Sequence, residues 1–340
     1  MFHQKEKPKC LDLKLLALIP LLSLVVACGQ APDSARTQYT LAVIPKGTTH
    51  EFWKSVHAGA IKASREFSQA GTEVQINWSG PLREDDKEQQ IQVVESFISR
   101  GVDGIVLAPL DEKALVRPVE EAVLAEIPSV IIDSGLASES IVSFVATDNR
   151  KGGELAARHL AGLLDGKGKA ILVRYQEGSA STHNREEGFL AAMASDFPDI
   201  EIISSDQYAG ATRDTGKRTA ENLLNRYGDD VDGIFCPNES STAGMLLALQ
   251  DFGKVGKIRF VGFDCNETFI EAMSRSELHG VVVQDPLKMG YLGVKTILAH
   301  LKGEPVESRI DTGVLVITPE NLDDPKIQQL IRPPLDTYLN

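Results

Sequence analysis

The chain has 340 residues, 42% hydrophobic, 24% charged and 6% aromatic; that length suits about two domains, and the composition excludes a disordered chain, a collagen-like chain and a polytopic membrane protein. Acidic residues outnumber basic ones 48 to 35, giving a net charge of −13, which repels phosphate backbones and argues against a nucleic-acid partner. Four cysteines are too few for a disulfide scaffold.

Lys5, Lys7, Lys9 and Lys14 precede an apolar run from Leu15 to Ala27, broken by Pro20 and Ser23. The run falls short of the roughly 20 residues needed to cross a bilayer as a helix. A basic start, a short apolar stretch and small residues after it read as a secretory signal over 1–27. The run ends Leu24-Val25-Val26-Ala27-Cys28-Gly29. This is similar to the lipobox of bacterial lipoproteins, with valine where leucine is usual three residues before the cysteine. The similarity implies cleavage before Cys28 and lipid on its sulfur. The polar stretch 28–38 reads as a tether. The expected product is an extracytoplasmic acidic body, held to a bacterial membrane by its lipid alone, in the periplasm or at the cell surface.

From Tyr39 onward, short β-branched apolar runs alternate with longer segments of helical period. Strands are expected at 40–44, 74–78, 104–107, 129–133 and 143–146, then at 169–175, 200–204, 233–236, 259–264 and 280–284. Helices are expected between them at 52–68, 85–100, 113–125, 151–164, 184–195, 214–226, 242–252, 267–275 and 288–301. Several close at a glycine, as at Gly71, Gly101 and Gly253. The alternation predicts parallel sheets covered by helices on both faces. A weak repeat runs through it. Val102-Asp103-Gly104-Ile105 recurs as Val231-Asp232-Gly233-Ile234, and IPSVIID at 127–133 resembles IRFVGFD at 258–264. Two similar α/β lobes account for this most simply.

In open α/β sheets ligands sit beyond the carboxyl ends of the strands. Those ends offer Asp133-Ser134, Pro237-Asn238-Glu239, Asp264-Cys265-Asn266 and Gln284-Asp285, and the first strand leads to His50-Glu51-Phe52-Trp53. Carboxylates, amides and guanidinium groups each engage two neighbouring hydroxyls with fixed geometry, and an aromatic face suits the C–H face of a sugar ring. Each residue has a plainer reading as well: a strand-end aspartate as a turn former or cap, Phe52 and Trp53 as core. No nucleophile elbow, zinc motif, CxxC or phosphate loop is present, the seven histidines are scattered, and no cofactor or metal is expected. Gly178-Ser179-Ala180-Ser181 reads as a turn near the cleft.

From Tyr39 to about Thr318 the chain resembles the periplasmic sugar-binding proteins of ABC importers, the ribose-binding type. The resemblance rests on FWKSVHAGA (52–60), GVDGIVLAP (101–109), IPSVIIDS (127–134), ATDNRKGGELAA (146–157), NREEGFLAAM (184–193), GIFCPNE (233–239), VGFD (261–264) and Gln284. It implies an α/β fold of two Rossmann-like doubly wound lobes joined by a three-segment hinge, the type I periplasmic binding fold, with a sugar in the cleft. By it, one lobe comprises 39–147 with 285–312 and the other 148–284 with 313–340. Crossovers then fall near Thr147–Asp148, Gln284–Asp285 and Thr312–Gly313.

The resemblance further implies that Phe52 and Trp53 stack on the ring and that Asp133, Arg185, Asn238, Asp264 and Gln284 bond hydroxyls. His50 stands where ribose binders carry asparagine, Ser134 where they carry arginine, and Ala211 where they carry an aromatic. These departures suit a hexose, a deoxy or methyl sugar or a cyclic polyol as well as ribose. The implied action is hinge closure by a monomer, read by an ABC permease with its ATPase, or alternatively by a sensor kinase or chemoreceptor. Arg185 and Asp264 are expected to anchor the ligand from one lobe, and loss of Arg185 to leave the stability of the free protein little changed. Cys236 and Cys265 lie near neighbouring strand ends; a bridge and two free thiols both fit the sequence. A sugar-responsive repressor would need a helix-turn-helix where the export signal stands, and an enzyme would need a catalytic set that is missing.

Overall fold

The structure, a computed structural model, describes residues 37–340. The signal, Cys28 and most of the tether lie outside the described residues. In chain order the elements are β1 (Gln38–Ile44), α1 (Glu51–Gln69), β2 (Glu73–Trp78), α2 (Lys87–Arg100), β3 (Gly104–Leu107), α3 (Val116–Leu124), β4 (Ser129–Ile132) and β5 (Ser143–Ala146). There follow α4 (Asn149–Leu163), β6 (Gly168–Leu172), α5 (Ala180–Asp196), β7 (Ile200–Ser204), α6 (Arg213–Tyr227), β8 (Gly233–Phe235), α7 (Glu239–Asp251), β9 (Arg259–Phe263), α8 (Glu267–Ser274) and β10 (Gly280–Val283). The chain closes with α9 (Pro286–Leu301), β11 (Arg309–Asp311), β12 (Leu315–Ile317), α10 (Pro325–Ile331) and α11 (Asp336–Leu339).

The strands form two six-stranded sheets of matching order, β11-β5-β4-β3-β1-β2 and β12-β10-β9-β8-β6-β7. The fold is two α/β lobes. The repeated sequences fall on equivalent strands, β3 with β8 and β4 with β9. Pairing is parallel except between β10 and β12. That exception follows from the route of the chain. It runs along β11 in the first sheet, crosses at 312–314, and enters the second sheet as β12 from the opposite end. At this crossing Thr147 Oγ1 lies 3.1 Å from Thr312 Oγ1 and donates to the Gly313 carbonyl at 3.1 Å.

Strand alternation builds a core on both faces of each sheet. Leu41 and Val43 of β1 pack with Val56 of α1 and Ile297 of α9, while Ala42 and Ile44 pack with Val94 of α2 and Val119 of α3. In the second lobe Ile171 and Ile234 join the layer of α6, α7 and α8, and Leu172, Phe235 and Phe263 join that of α4 and α5. The helix pair α4 and α5 is so close that a Cβ on Gly153 would meet the Arg185 carbonyl, and one on Gly188 the Arg150 carbonyl. Backbone cannot retreat as a flexible side-chain tip does. Gly153→Ala should therefore cost about 1–3 kcal/mol and lower the melting temperature; an unchanged melting temperature would mean the two helices sit farther apart.

Expected and observed strands differ most at their carboxyl ends. Asp133 and Asp264, read as the last residues of strands, lie beyond β4 and β9 in the left-handed region, with φ of 61° and 65°. That conformation breaks the pleat and turns each carboxylate out of its sheet. The stretch 178–181 is more than a turn: Ser179 is the N-cap position of α5, and the helix begins at Ala180. The three-residue strands β11 and β12 and the short helices α10 and α11 had no readable period.

The end of the chain touches both lobes. On α10, Ile327 is buried against the core of the second lobe, and Arg332 pairs with Glu267 at 2.7 Å. Beyond Pro333-Pro334, the carbonyls of Thr337 and Tyr338 accept from Arg65 of α1, in the first lobe, at 2.5 and 3.0 Å. Cys236 and Cys265 are both free. Among the described residues no helix is long and apolar enough to cross a membrane.

Candidate functional site

The carboxyl ends of both sheets face one another across a narrow cavity of about 30 Å³. Of the residues singled out in the sequence, His50, Phe52, Trp53 and Asp133 line it from the first lobe, and Arg185, Asn238, Asp264 and Gln284 from the second lobe and its crossover. Ser134 does not line it. Its hydroxyl accepts from the Ser181 amide at 3.0 Å and so holds the start of α5 against the first lobe. Ala211 is buried away from the cavity.

Trp53 is 2% exposed and belongs to the first-lobe core while also facing the cavity. Phe52 meets it edge to face, with centroids 4.9 Å apart and planes at 86°. The pair thus packs on the core and walls the cavity at once. Asn238 is likewise double: its Oδ1 caps α7 through the Ser241 amide at 3.3 Å, and its Nδ2 donates to Ser240 Oγ at 3.0 Å.

Arg185 is 2% exposed. Its guanidinium lies 3.8 Å over the Phe263 ring, donates from Nε to Asn149 Oδ1 at 2.8 Å and from Nη1 to the Pro237 carbonyl at 2.9 Å. Its fixed fork has five N–H donors, so donors remain beyond these two. Asp264 accepts from Gln284 Nε2 at 2.8 Å and from the Glu239 amide at 3.2 Å. Burial pushes its carboxyl up to about 6, against the pull of Arg185's charge and the Gln284 hydrogen bond. A carboxylate ionised at the expense of its burial is an acceptor short of donors. Gln284 Oε1 is buried without a partner, a second acceptor in need of a donor.

Six further residues line the cavity: Lys46, Glu84, Tyr175, Ser181, Thr182 and Glu239. Lys46 is 3% exposed; its ammonium pairs with Asp133 Oδ2 at 2.8 Å and donates across the cleft to Ser181 Oγ at 3.0 Å. Glu239 begins α7 and pairs with Arg213 at 2.7 Å. Glu84 lies 3.0 Å from His50 Nδ1. Charge is therefore balanced locally: Glu84 faces His50, Asp133 faces Lys46, Glu239 faces Arg213, and Asp264 feels Arg185. No group of acidic, histidine or cysteine side chains among the described residues could hold a metal ion.

The His50–Glu84 pair sets a pH dependence. Burial disfavours the imidazolium, but the hydrogen bond and charge of Glu84 outweigh it and raise His50 from 6.5 to about 9; Glu84 is held well below the usual carboxylate range. A folded value raised above the unfolded one gives stability that is fully present below 6.5 and is lost as pH rises through 9. Stability by urea denaturation should accordingly fall as pH rises through that range. His50→Gln should flatten the profile there; a profile unchanged by the substitution would place the dependence elsewhere.

Residues 41–305 match the family described as periplasmic binding protein domain. The ribose import binding protein of Haemophilus influenzae is 30% identical over 301 residues, which is 88% of this chain and 99% of that one. Among solved structures, the carbohydrate transporter solute binding protein of Agrobacterium radiobacter, in complex with D-arabinose, superposes with a TM-score of 0.82. It is 33% identical, over 86% of this chain and 99% of that one. An ABC transporter solute binding protein of Agrobacterium vitis with bound D-fucose gives a TM-score of 0.81 and 35% identity, over 86% and 99% of the two chains.

Proposed function

This chain belongs to the periplasmic binding protein domain family, and on that premise we propose that it captures one monosaccharide or related polyol between its lobes and delivers it to an ABC permease and its ATPase. The observation that carries the reading is the balanced charge of the cavity, combined with hydroxyl-bonding groups from both lobes. A charged ligand would upset that balance, whereas a neutral one rich in hydroxyls can donate to Asp264 and Gln284 and accept from Arg185. Phe52 and Trp53 supply an apolar face for its ring. The solved neighbours bind D-arabinose and D-fucose, ligands of this chemical class.

Binding works by hinge closure about the crossovers near 147–148, 284–285 and 312–313. The ligand favours the closed form by touching both half-sites at once, since only contacts that differ between the two forms can move their balance. It is released chemically unchanged. The mature chain begins at Cys28, carries lipid there, and acts as a monomer outside the cytoplasmic membrane.

A thermal-shift screen against neutral pentoses, hexoses and cyclic polyols, with sugar acids and amino sugars as controls, tests the reading. A ligand at about 100 times its dissociation constant adds ~2.7 kcal/mol to stability, a clear rise in melting temperature. Stabilisation by neutral sugars alone is expected. Stabilisation by none of them, or only by charged ones, overturns the proposal.

A further inference from the structure

Glu84 lies in the polar segment between β2 and α2, yet it is only 7% exposed. Its Oε1 accepts from the Trp53 indole N–H at 2.6 Å and lies 3.0 Å from His50 Nδ1, both in its own lobe. Its Oε2 accepts from the Tyr175 hydroxyl of the other lobe at 2.6 Å, and its backbone carbonyl accepts from Gln176 Nε2, next along that chain, at 2.9 Å. Tyr175 is 1% exposed.

From this geometry we infer that Glu84 is a latch between the two lobes beside the ligand cavity and, through the same carboxylate, the residue that positions the Trp53 ring. The inference rests on the proposed opening and closing of the cleft. When the lobes part, His50 and Trp53 stay with Glu84, while Tyr175 and Gln176 leave. The carboxylate is thus held ionised and aimed in either form by partners that never leave it. Closing adds a short charge-assisted O–H···O bond without reorienting the acceptor. Pre-organisation of this kind lowers the cost of closing. Glu84 acts through Trp53 and Tyr175 and is a positioning residue.

The test uses a Trp78→Phe background, in which Trp53 is the remaining one of the chain's two tryptophans. Lobe separation is followed by small-angle scattering without sugar, and D-ribose, D-arabinose and D-fucose are titrated by calorimetry and stopped-flow fluorescence. Tyr175→Phe removes one oxygen. It should raise the radius of gyration and speed sugar release about tenfold, with Trp53 emission changing only as far as lobe opening exposes the ring. Glu84→Ala should do both of these and shift Trp53 emission further than Tyr175→Phe does; Glu84→Gln, which keeps an acceptor oxygen, should restore part of each. An unchanged radius of gyration and release rate in Tyr175→Phe overturn the latch even if every sugar binds. Trp53 emission that is the same in Glu84→Ala as in Tyr175→Phe overturns the positioning role. If none of the three sugars binds but Tyr175→Phe still expands the chain, the latch stands and the choice of ligand falls.

Discussion

Replacing Arg185 with alanine is expected to weaken sugar binding about a hundredfold and to destabilise the protein by about 3 kcal/mol as well. The first figure follows from charge-assisted hydrogen bonds, each contributing about 1.5–3 kcal/mol. The second departs from the sequence reading, in which Arg185 served the ligand alone. In the structure the guanidinium also ties Asn149 to the Pro237 carbonyl and stacks on Phe263, and its charge faces buried Asp264. Removing one member of a buried charged pair leaves the other uncompensated, at a cost of about 3–5 kcal/mol. Burial already lowers the affinity of Arg185 for its proton, against the pull of Asp264 and Asp133. Arg185→Lys should recover part of the stability and little of the affinity, because an ammonium lacks the planar fork. Urea denaturation and calorimetry separate the two effects. Equal affinity in Arg185→Ala and the parent would remove Arg185 from the site.

Asp133→Ala is expected to cost about 3–5 kcal/mol of stability by stranding Lys46. The two side chains are 5% and 4% exposed and 2.8 Å apart, so water cannot replace the lost partner. Lys46 also reaches Ser181 across the cleft, so freeing it from Asp133 should loosen closure. The double variant Lys46→Met with Asp133→Ala should regain much of the lost stability, since a packed apolar side chain tolerates burial better than a lone ammonium. A single variant as stable as the parent would show that solvent reaches Lys46 after all.

Most of the fold was legible because its signals are local. Parallel strands buried on both faces read as apolar runs, and their helices show the 3.6-residue period. The strand-end rule then found seven of the cavity's residues, because topology alone brings those ends together, and the family resemblance added Arg185 on α5. What the sequence hid is contact between lobes. Lys46 and Glu84 sit in polar stretches that look solvated, yet Asp133, Trp53 and His50 of their own lobe and Ser181 and Tyr175 of the other all close on them. Ser134 follows a strand-end aspartate and stands where the resemblance puts an arginine, but its hydroxyl accepts from the Ser181 amide outside the cavity. The left-handed turns at Asp133 and Asp264 were likewise invisible, since aspartate there continues an apparently extended run.

The docking of α11 on α1 bears on how the molecule can be handled. A reporter joined after Asn340 would ride on the lobe opposite the one that holds α10, because Arg65 grips the carbonyls of Thr337 and Tyr338. A bulky fusion, or an affinity tag pulled against a resin, would load that grip. Apparent ligand affinities from carboxyl-terminal fusions should then differ from those of the untagged chain, and a biosensor is better built by inserting its fluorophore at the exposed turn around Gly166.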